Sequence, residues 1–220
     1  EAELVAGGDD NTPVVTMLTQ VIVDANDPAF ENPTKPIGSY YSEEAARQLM
    51  AKTGDKYVED AGRGWRRVVA SPKPVSIYEH VTLATLMRDK EVVIAGGGGG
   101  IPVVKTENGY KGVAAVVDKD FAAEKLAELV DAEYLFILTA VDRVAINFGT
   151  PKQKDISEMT IAEANAYAAE GQFAPGSMLP KVQAACLFAE SKPGRAAIIG
   201  SLDKAALALK GQSGTRIISG

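Results

Sequence analysis

Apolar and β-branched residues run from Val14 to Val23, a pattern that predicts a strand. Ahead of it, Glu1 to Val5 reads as the tail of a helix that Gly7-Gly8 stops. Asn26 to Gly38 is rich in Pro, Asn and Asp and reads as a rigid loop, and Ser42 to Lys52 as a helix ended by Gly54. Asp60 to Pro74 mixes glycines with β-formers and predicts a small protruding hairpin, with Arg63, Arg66 and Arg67 around Trp65. From Ser76 onward helices and strands alternate. Ser76 to Glu79 has capping-box spacing, and Ile77, Val81, Ala84 and Met87 fall on one helical face. Val92 to Ala95 reads as a short buried strand entering five glycines, and Asn108-Gly109 as a hairpin turn. Asp120 can cap a helix with the apolar stripe Ala122, Leu126, Leu129 and Val130. Tyr134 to Leu138 is a further strand, Thr160 to Glu163 a capping box with Gly171 as the stop, and Pro180 suits the first turn of another helix. Ala197 to Ile199 and Arg216 to Ile218 are the last strands. Short apolar strands between amphipathic helices predict an α/β chain with a mostly parallel sheet covered on both faces.

Composition narrows the function. The 220 residues carry a net charge of −6, which argues against nonspecific nucleic-acid binding but leaves room for a nucleotide held by a few local cations. One cysteine, Cys186, cannot form an internal disulfide and fits a reducing cytoplasm; it lies in an apolar helical stretch and reads as core packing. With one histidine, His80, besides it, no structural zinc site is expected, and His80 itself reads as a packing or surface residue. No apolar run approaches the roughly 20 residues that span a bilayer, and no charged-then-apolar leader opens the sequence, so neither a membrane span nor a signal peptide is expected.

The candidate chemistry lies in lysines set beside Pro, Gly and Asp. These are Lys35 in Thr34-Lys35-Pro36, Lys119 between Asp118 and Asp120, and Lys181 after Gly176-Ser177-Met178-Leu179-Pro180. A fixed ammonium near glycine-rich backbone suits phosphoryl transfer, which rests on positioning and charge neutralisation. Gly96 to Gly100 follow a predicted strand, where backbone N–H groups can cradle an anion. No Walker A motif is present, and Ile101-Pro102 stops the helix that a dinucleotide fingerprint needs. Asp118-Lys119-Asp120 stands at a strand-to-helix switch, where a carboxylate keeps an ammonium charged and directed. Lys181 stands at a helix start, where a cation is disfavoured unless an anion binds beside it.

Asn32 to Gly38, Glu59 to Arg66, Gly97 to Pro102, Val117 to Asp120, Phe173 to Met178 with Pro180-Lys181, and Gly214 to Arg216 together, in this order, resemble the carbamate kinase family, which has the amino-acid-kinase fold. The resemblance runs from about Pro13 to Ile218. It implies a three-layer αβα sandwich with a mainly parallel central sheet and a small protruding subdomain. On that pattern, 1–24 end an N-terminal lobe, 25–75 form a protruding part over the substrate, and 76–220 form a nucleotide-binding lobe. It implies a cytoplasmic homodimer of arginine metabolism that transfers a phosphoryl group reversibly between ATP and carbamate, giving ADP and carbamoyl phosphate. Mg²⁺ arrives with the nucleotide, and no resident metal is implied. Lys119 and Lys181 match the lysines that neutralise the phosphoryl group, Asp120 the carboxylate that orients them, and Lys35 the lysine of the protruding part. Gly97, Gly98 and Gly99 match a loop near carbamate, while Thr139, Val141, Ile146, Phe173, Gly176, Ser177 and Met178 match the nucleotide side, together with Lys119 and Lys181.

One departure is at the front, where the family's opening strand and two glycine loops find no match. Gly7-Gly8 before Asp9-Asp10-Asn11 lies too close to Val14 to serve as one of them. The expectation is a carbamate kinase whose 220 residues alone are inactive or impaired. The alternatives are another kinase of this fold, acting on an amino-acid carboxylate or a nucleoside monophosphate, and a remnant that binds nucleotide or supports a dimer without turnover.

Overall fold

The alternation of strands and helices resolves into two compact units in the computed structural model, which describes residues 2–9 and 11–220. One unit extends to Ala122 and the other covers Ala123–Gly220. Helix α1 (Ala2–Ala6) ends where Gly7 and Gly8 donate back to the Glu3 and Val5 carbonyls. The readings that involve Glu1 and Asp10 lie outside the described residues. Next come β1 (Val14–Thr16), β2 (Gln20–Val23), β3 (Lys35–Tyr41), α2 (Glu43–Thr53), β4 (Tyr57–Glu59), β5 (Trp65–Val69) and β6 (Pro74–Ile77). Helix α3 (His80–Arg88), β7 (Val92–Ile94), β8 (Ile101–Thr106) and β9 (Gly109–Gly112) follow, and then α4 (Lys119–Leu129), which runs on into the second unit.

Strands β1 and β7 pair in parallel, as do β2 and β8. Strand β6 joins β2 antiparallel, and β8 turns back into β9 at the Asn108-Gly109 hairpin. The hairpin expected over Asp60 to Pro74 does not form as read: β5 lies between β3 and β4 in a three-stranded antiparallel sheet, while β6 pairs with β2. Helix α2 ends as read, at Gly54 in the left-handed conformation, and Ser42, read as its first residue, is its N-cap. Val21, Ile77, Leu83, Val103 and Val117 fill the core of this unit, each contributing about 1.5–3 kcal/mol by burial.

Several expectations for this unit change. The Val14–Val23 run is two strands, because Thr19 leaves the line of β1 to bond Gly96 and Ile101, and Leu18 in the gap is 80% exposed. Lys35 begins a strand rather than sitting in a loop, since β3 pairs with β5 from Lys35 onward. The Ser76–Glu79 capping box does not form: Ser76 is in β6, and the Glu79 carboxylate accepts from the Gln20 backbone and side-chain N–H groups instead. On α3 it is Leu83 that is buried, whereas Val81 and Met87 are exposed. Strand β7 forms, but Val92 and Ile94 face outward from a two-stranded ribbon that buries neither. His80 bonds the Ile77 carbonyl through Nδ1, at 2.7 Å.

The second unit holds β10 (Tyr134–Thr139), β11 (Ala145–Ile146), β12 (Lys154–Asp155), β13 (Glu158–Thr160), α5 (Ile161–Ala169), α6 (Met178–Glu190), β14 (Ala196–Ser201), α7 (Ala205–Leu209) and β15 (Thr215–Ile218). Its main sheet has the order β10-β14-β15-β13, with β10–β14 and β13–β15 parallel and β14–β15 antiparallel. Every residue of β14 is buried, and α6 packs against it with Val182, Ala184, Ala185, Phe188 and Ala189 buried, the alanines letting helix and sheet approach closely while Phe188 fills the core. The Thr160–Glu163 capping box is present in both directions. Cys186 is core as read, its thiol pushed up to about 11 by burial and the nearby Glu190 charge. Among the described residues no helix is long and apolar enough to cross a membrane.

Helix α4 departs from its simple stripe. Phe121, Ala122 and Ala127 are buried, and so is Glu124, at 3% exposure. Burial pushes the Glu124 carboxyl up to about 7, Lys125 and Arg195 opposing and Glu128 adding to the rise. The folded state therefore holds this proton more tightly than the unfolded chain does. The stability it confers is complete below the ordinary value of 4.5 and is lost as pH rises through about 7. Glu124→Gln should accordingly melt above the parent at pH 8, by about 2–4 °C per kcal/mol recovered, and close to it at pH 5. The same shift at both pH values would contradict this titration.

Candidate active site

The first unit gathers the glycine loop, two lysines and two aspartates at one place. Between β7 and β8 the five glycines differ in what the fold demands of them. A Cβ at Gly99, where φ is +128°, would lie 2.1 Å from the Val117 carbonyl oxygen, and one at Gly100 would lie 2.4 Å from a Val21 methyl. These two glycines are required by close backbone approach. At Gly98 the backbone is outside the left-handed region and a Cβ would meet nothing within 4 Å. The loop thus rests on Gly99 and Gly100 and leaves open space at Gly98. Its entry is held by Thr19, whose hydroxyl accepts from the Gly96 N–H at 2.8 Å and donates to the Met17 carbonyl.

The Gly99 contact sets the loop against Val117 to Lys119, the start of α4. Asp118 stands there as the N-cap: its carbonyl accepts from Ala122 N–H, and its Oδ1 accepts from Asp120 N–H at 2.9 Å. The other oxygen, Oδ2, accepts from the Lys35 ammonium at 2.8 Å. Burial works against the Asp118 carboxylate, yet Lys35, the Asp120 N–H and Lys119 together hold it below the usual carboxylate range. Asp120, which the sequence suggested as the cap, lies inside the first turn instead, buried, with its carboxylate 4.0 Å from the exposed Lys119 ammonium. The Lys73 ammonium lies 3.0 Å from the centre of the Phe121 ring, adding a third lysine near this helix start.

The second unit holds a cleft of about 600 Å³ beyond the carboxyl end of β10, the usual place for a ligand in a parallel sheet. Thr139, Val141, Phe173, Ser177, Met178 and Lys181 all line it. Ile146, on β11, and Gly176 do not. Lys181 lies at the fourth position of α6, only 8% exposed. The walls also carry Arg143, Asn147, Phe148 and Thr150, none of which the sequence singled out. Phe148 is a large apolar side chain left 66% exposed, and Asn147 holds the loop open with φ +51° and a bond from its N–H to Gln172 Oε1.

In the first unit, sequence reasoning gave Thr19 no role and named Asp118 only as a neighbour of Lys119, not as the cap of α4. For Asp118 a signal existed, because the aspartate directly before a helix is the better N-cap and Asp120 stands two residues too late. For Thr19 there was none, since its partner Gly96 is remote in the chain.

Residues 19–200 match the amino acid kinase family. A carbamate kinase from Clostridium perfringens is 58% identical over 205 residues, which are 93% of this chain and 65% of that protein. A carbamate kinase-like protein from Escherichia coli is 54% identical over 94% of this chain and 66% of its own length. The chain thus spans about two thirds of the length of these curated relatives. A structure of carbamate kinase from Giardia lamblia bound to AMP-PNP superposes with a TM-score of 0.89 at 43% identity, over 98% of this chain and 68% of that one. The chain has the α/β sandwich of the amino-acid-kinase fold, and it belongs to the amino acid kinase family.

Proposed function

We propose that the protein transfers a phosphoryl group reversibly between ATP and carbamate. The observation that carries this reading is the open-faced glycine loop seated on the start of α4 beside Lys35, Asp118 and Lys119. An anion there meets backbone N–H groups and fixed ammonium groups at once, which is what a transferring phosphoryl group requires. In this reading the nucleotide, carrying Mg²⁺, occupies the second unit's cleft. A carbamate oxygen, already anionic, forms a bond to the γ-phosphorus as the bond to the β-phosphate oxygen breaks and ADP leaves. In reverse, a β-phosphate oxygen of ADP takes the group from carbamoyl phosphate. No proton moves, so no side-chain base is needed. Lys119 and Lys181 neutralise the charge, Asp120 orients them, Gly97 to Gly99 hold carbamate, and Lys35, on a protruding part over 25–75, covers it. A cytoplasmic homodimer belongs to the same reading.

The test is a substrate panel on the intact protein, following ADP release from ATP with carbamate, acetylglutamate, aspartate or UMP. Carbamate should be turned over at least about tenfold faster than any other, the discrimination that about 1.4 kcal/mol confers. Equal or faster turnover of another acceptor would replace carbamate as the substrate.

A further inference from the structure

Asp118 uses both carboxylate oxygens, and each serves a different element. Oδ1 accepts from the Asp120 N–H at 2.9 Å and caps α4, while Oδ2 accepts from the Lys35 ammonium at 2.8 Å and reaches β3, 83 residues away in sequence. The Asp118 side chain is 14% exposed, so solvent screens this pair less than an ordinary surface ion pair. An ammonium carries three donors and Asp118 takes one, so Lys35 is held in direction and keeps donors for an incoming anion. Lys35 is the first residue of β3, which pairs with β5 from Lys35 to Ile37 and again at Tyr41, so fixing its tip fixes that sheet corner relative to the start of α4.

We propose that Asp118 is a positioning residue for phosphoryl transfer, setting the Lys35 ammonium and the Lys119-Asp120 turn in register through one carboxylate. The proposal rests on the phosphoryl-transfer reading. It assigns Asp118 no contact with substrate. Its effect runs through Lys35, which it orients, and through Asp120, whose backbone it holds. The glycine loop shares the arrangement, because Gly99 packs on the Val117 carbonyl one residue before Asp118.

Two substitutions separate the two oxygens' duties. Asp118→Asn keeps an acceptor for the Asp120 N–H but removes the charge that holds Lys35. Asp118→Ala removes both. In Asp118→Asn, kcat should fall by about 10²-fold, as for a misplaced catalytic group, while KM for ADP stays within about threefold. Asp118→Glu should recover part of that loss. Two readouts do not depend on activity. Acylation of Lys35, located by mass spectrometry, should run several-fold faster in Asp118→Asn than in the parent at the same pH. Hydrogen exchange at the Asp120 amide should stay near parental in Asp118→Asn and accelerate in Asp118→Ala. Parental kcat in Asp118→Asn, with an active parent, overturns the positioning role. Parental Lys35 labelling overturns the tether, whatever the activity. A parent that transfers no phosphoryl group while the labelling still changes sinks the kinase reading and leaves the tether standing.

Discussion

Replacing Lys181 by methionine should lower turnover by about 10²–10³-fold, the usual loss on removing one donor to transition-state charge. Fold and thermal stability should survive. Lys181 is 8% exposed in the first turns of α6, where the helix dipole already disfavours a cation, so an unbranched apolar side chain of similar length fits the same space. Its place on the wall of a cleft of about 600 Å³, at a helix start whose N–H groups favour anions, suits contact with an anionic ligand. Lys119→Ala should cost a comparable factor with even less effect on stability, because the Lys119 side chain is exposed. Parallel measurement of kcat and melting temperature checks both. Near-parental kcat in both variants would remove these lysines from the chemistry.

The second large effect separates two neighbouring glycines. Gly99→Ala should destabilise the fold by more than about 4 kcal/mol, or prevent folding, because its Cβ would lie 2.1 Å from a backbone oxygen in a left-handed conformation. Neither the loop nor the Val117 carbonyl is the flexible end of a side chain, so neither can move cheaply. Gly98→Ala should leave the melting temperature unchanged, since its Cβ meets nothing, yet reduce kcat/KM for carbamoyl phosphate about 10²-fold by filling the space the loop leaves open. Thermal melts and steady-state kinetics on the two variants settle the matter. A fully active Gly98→Ala protein would show that the open space is not where substrate sits, and a stable Gly99→Ala protein would contradict the packing.

What was legible in the sequence was mostly local. Gly54, Thr160 with Glu163, and Asn108-Gly109 each specify their own backbone within a few residues, and all three form as read. Apart from the α4 cap, where Asp118 stands two residues before the Asp120 that was read, the misreadings occur where a distant partner decides. Glu79 has the spacing to cap α3, but Gln20 takes its carboxylate from 59 residues away. The strand from Val14 breaks at Thr19 because Gly96 and Ile101 need its hydroxyl and carbonyl. The lysines were visible through their Pro, Gly and Asp neighbours, but the sequence placed Lys35 in a loop, where β5 instead draws it into a strand. The Lys35–Asp118 pair spans 83 residues and could not be read from either segment alone.

Phosphoryl transfer between carbamoyl phosphate and ADP can be watched directly. Phosphorus NMR of the intact protein with carbamoyl phosphate, ADP and Mg²⁺ follows every phosphorus atom at once. The prediction is that the carbamoyl phosphate signal declines as the three resonances of ATP grow in equal amount, and that the growth is slowed by Lys181→Met. Decay to inorganic phosphate alone, at the rate seen without protein, would contradict it.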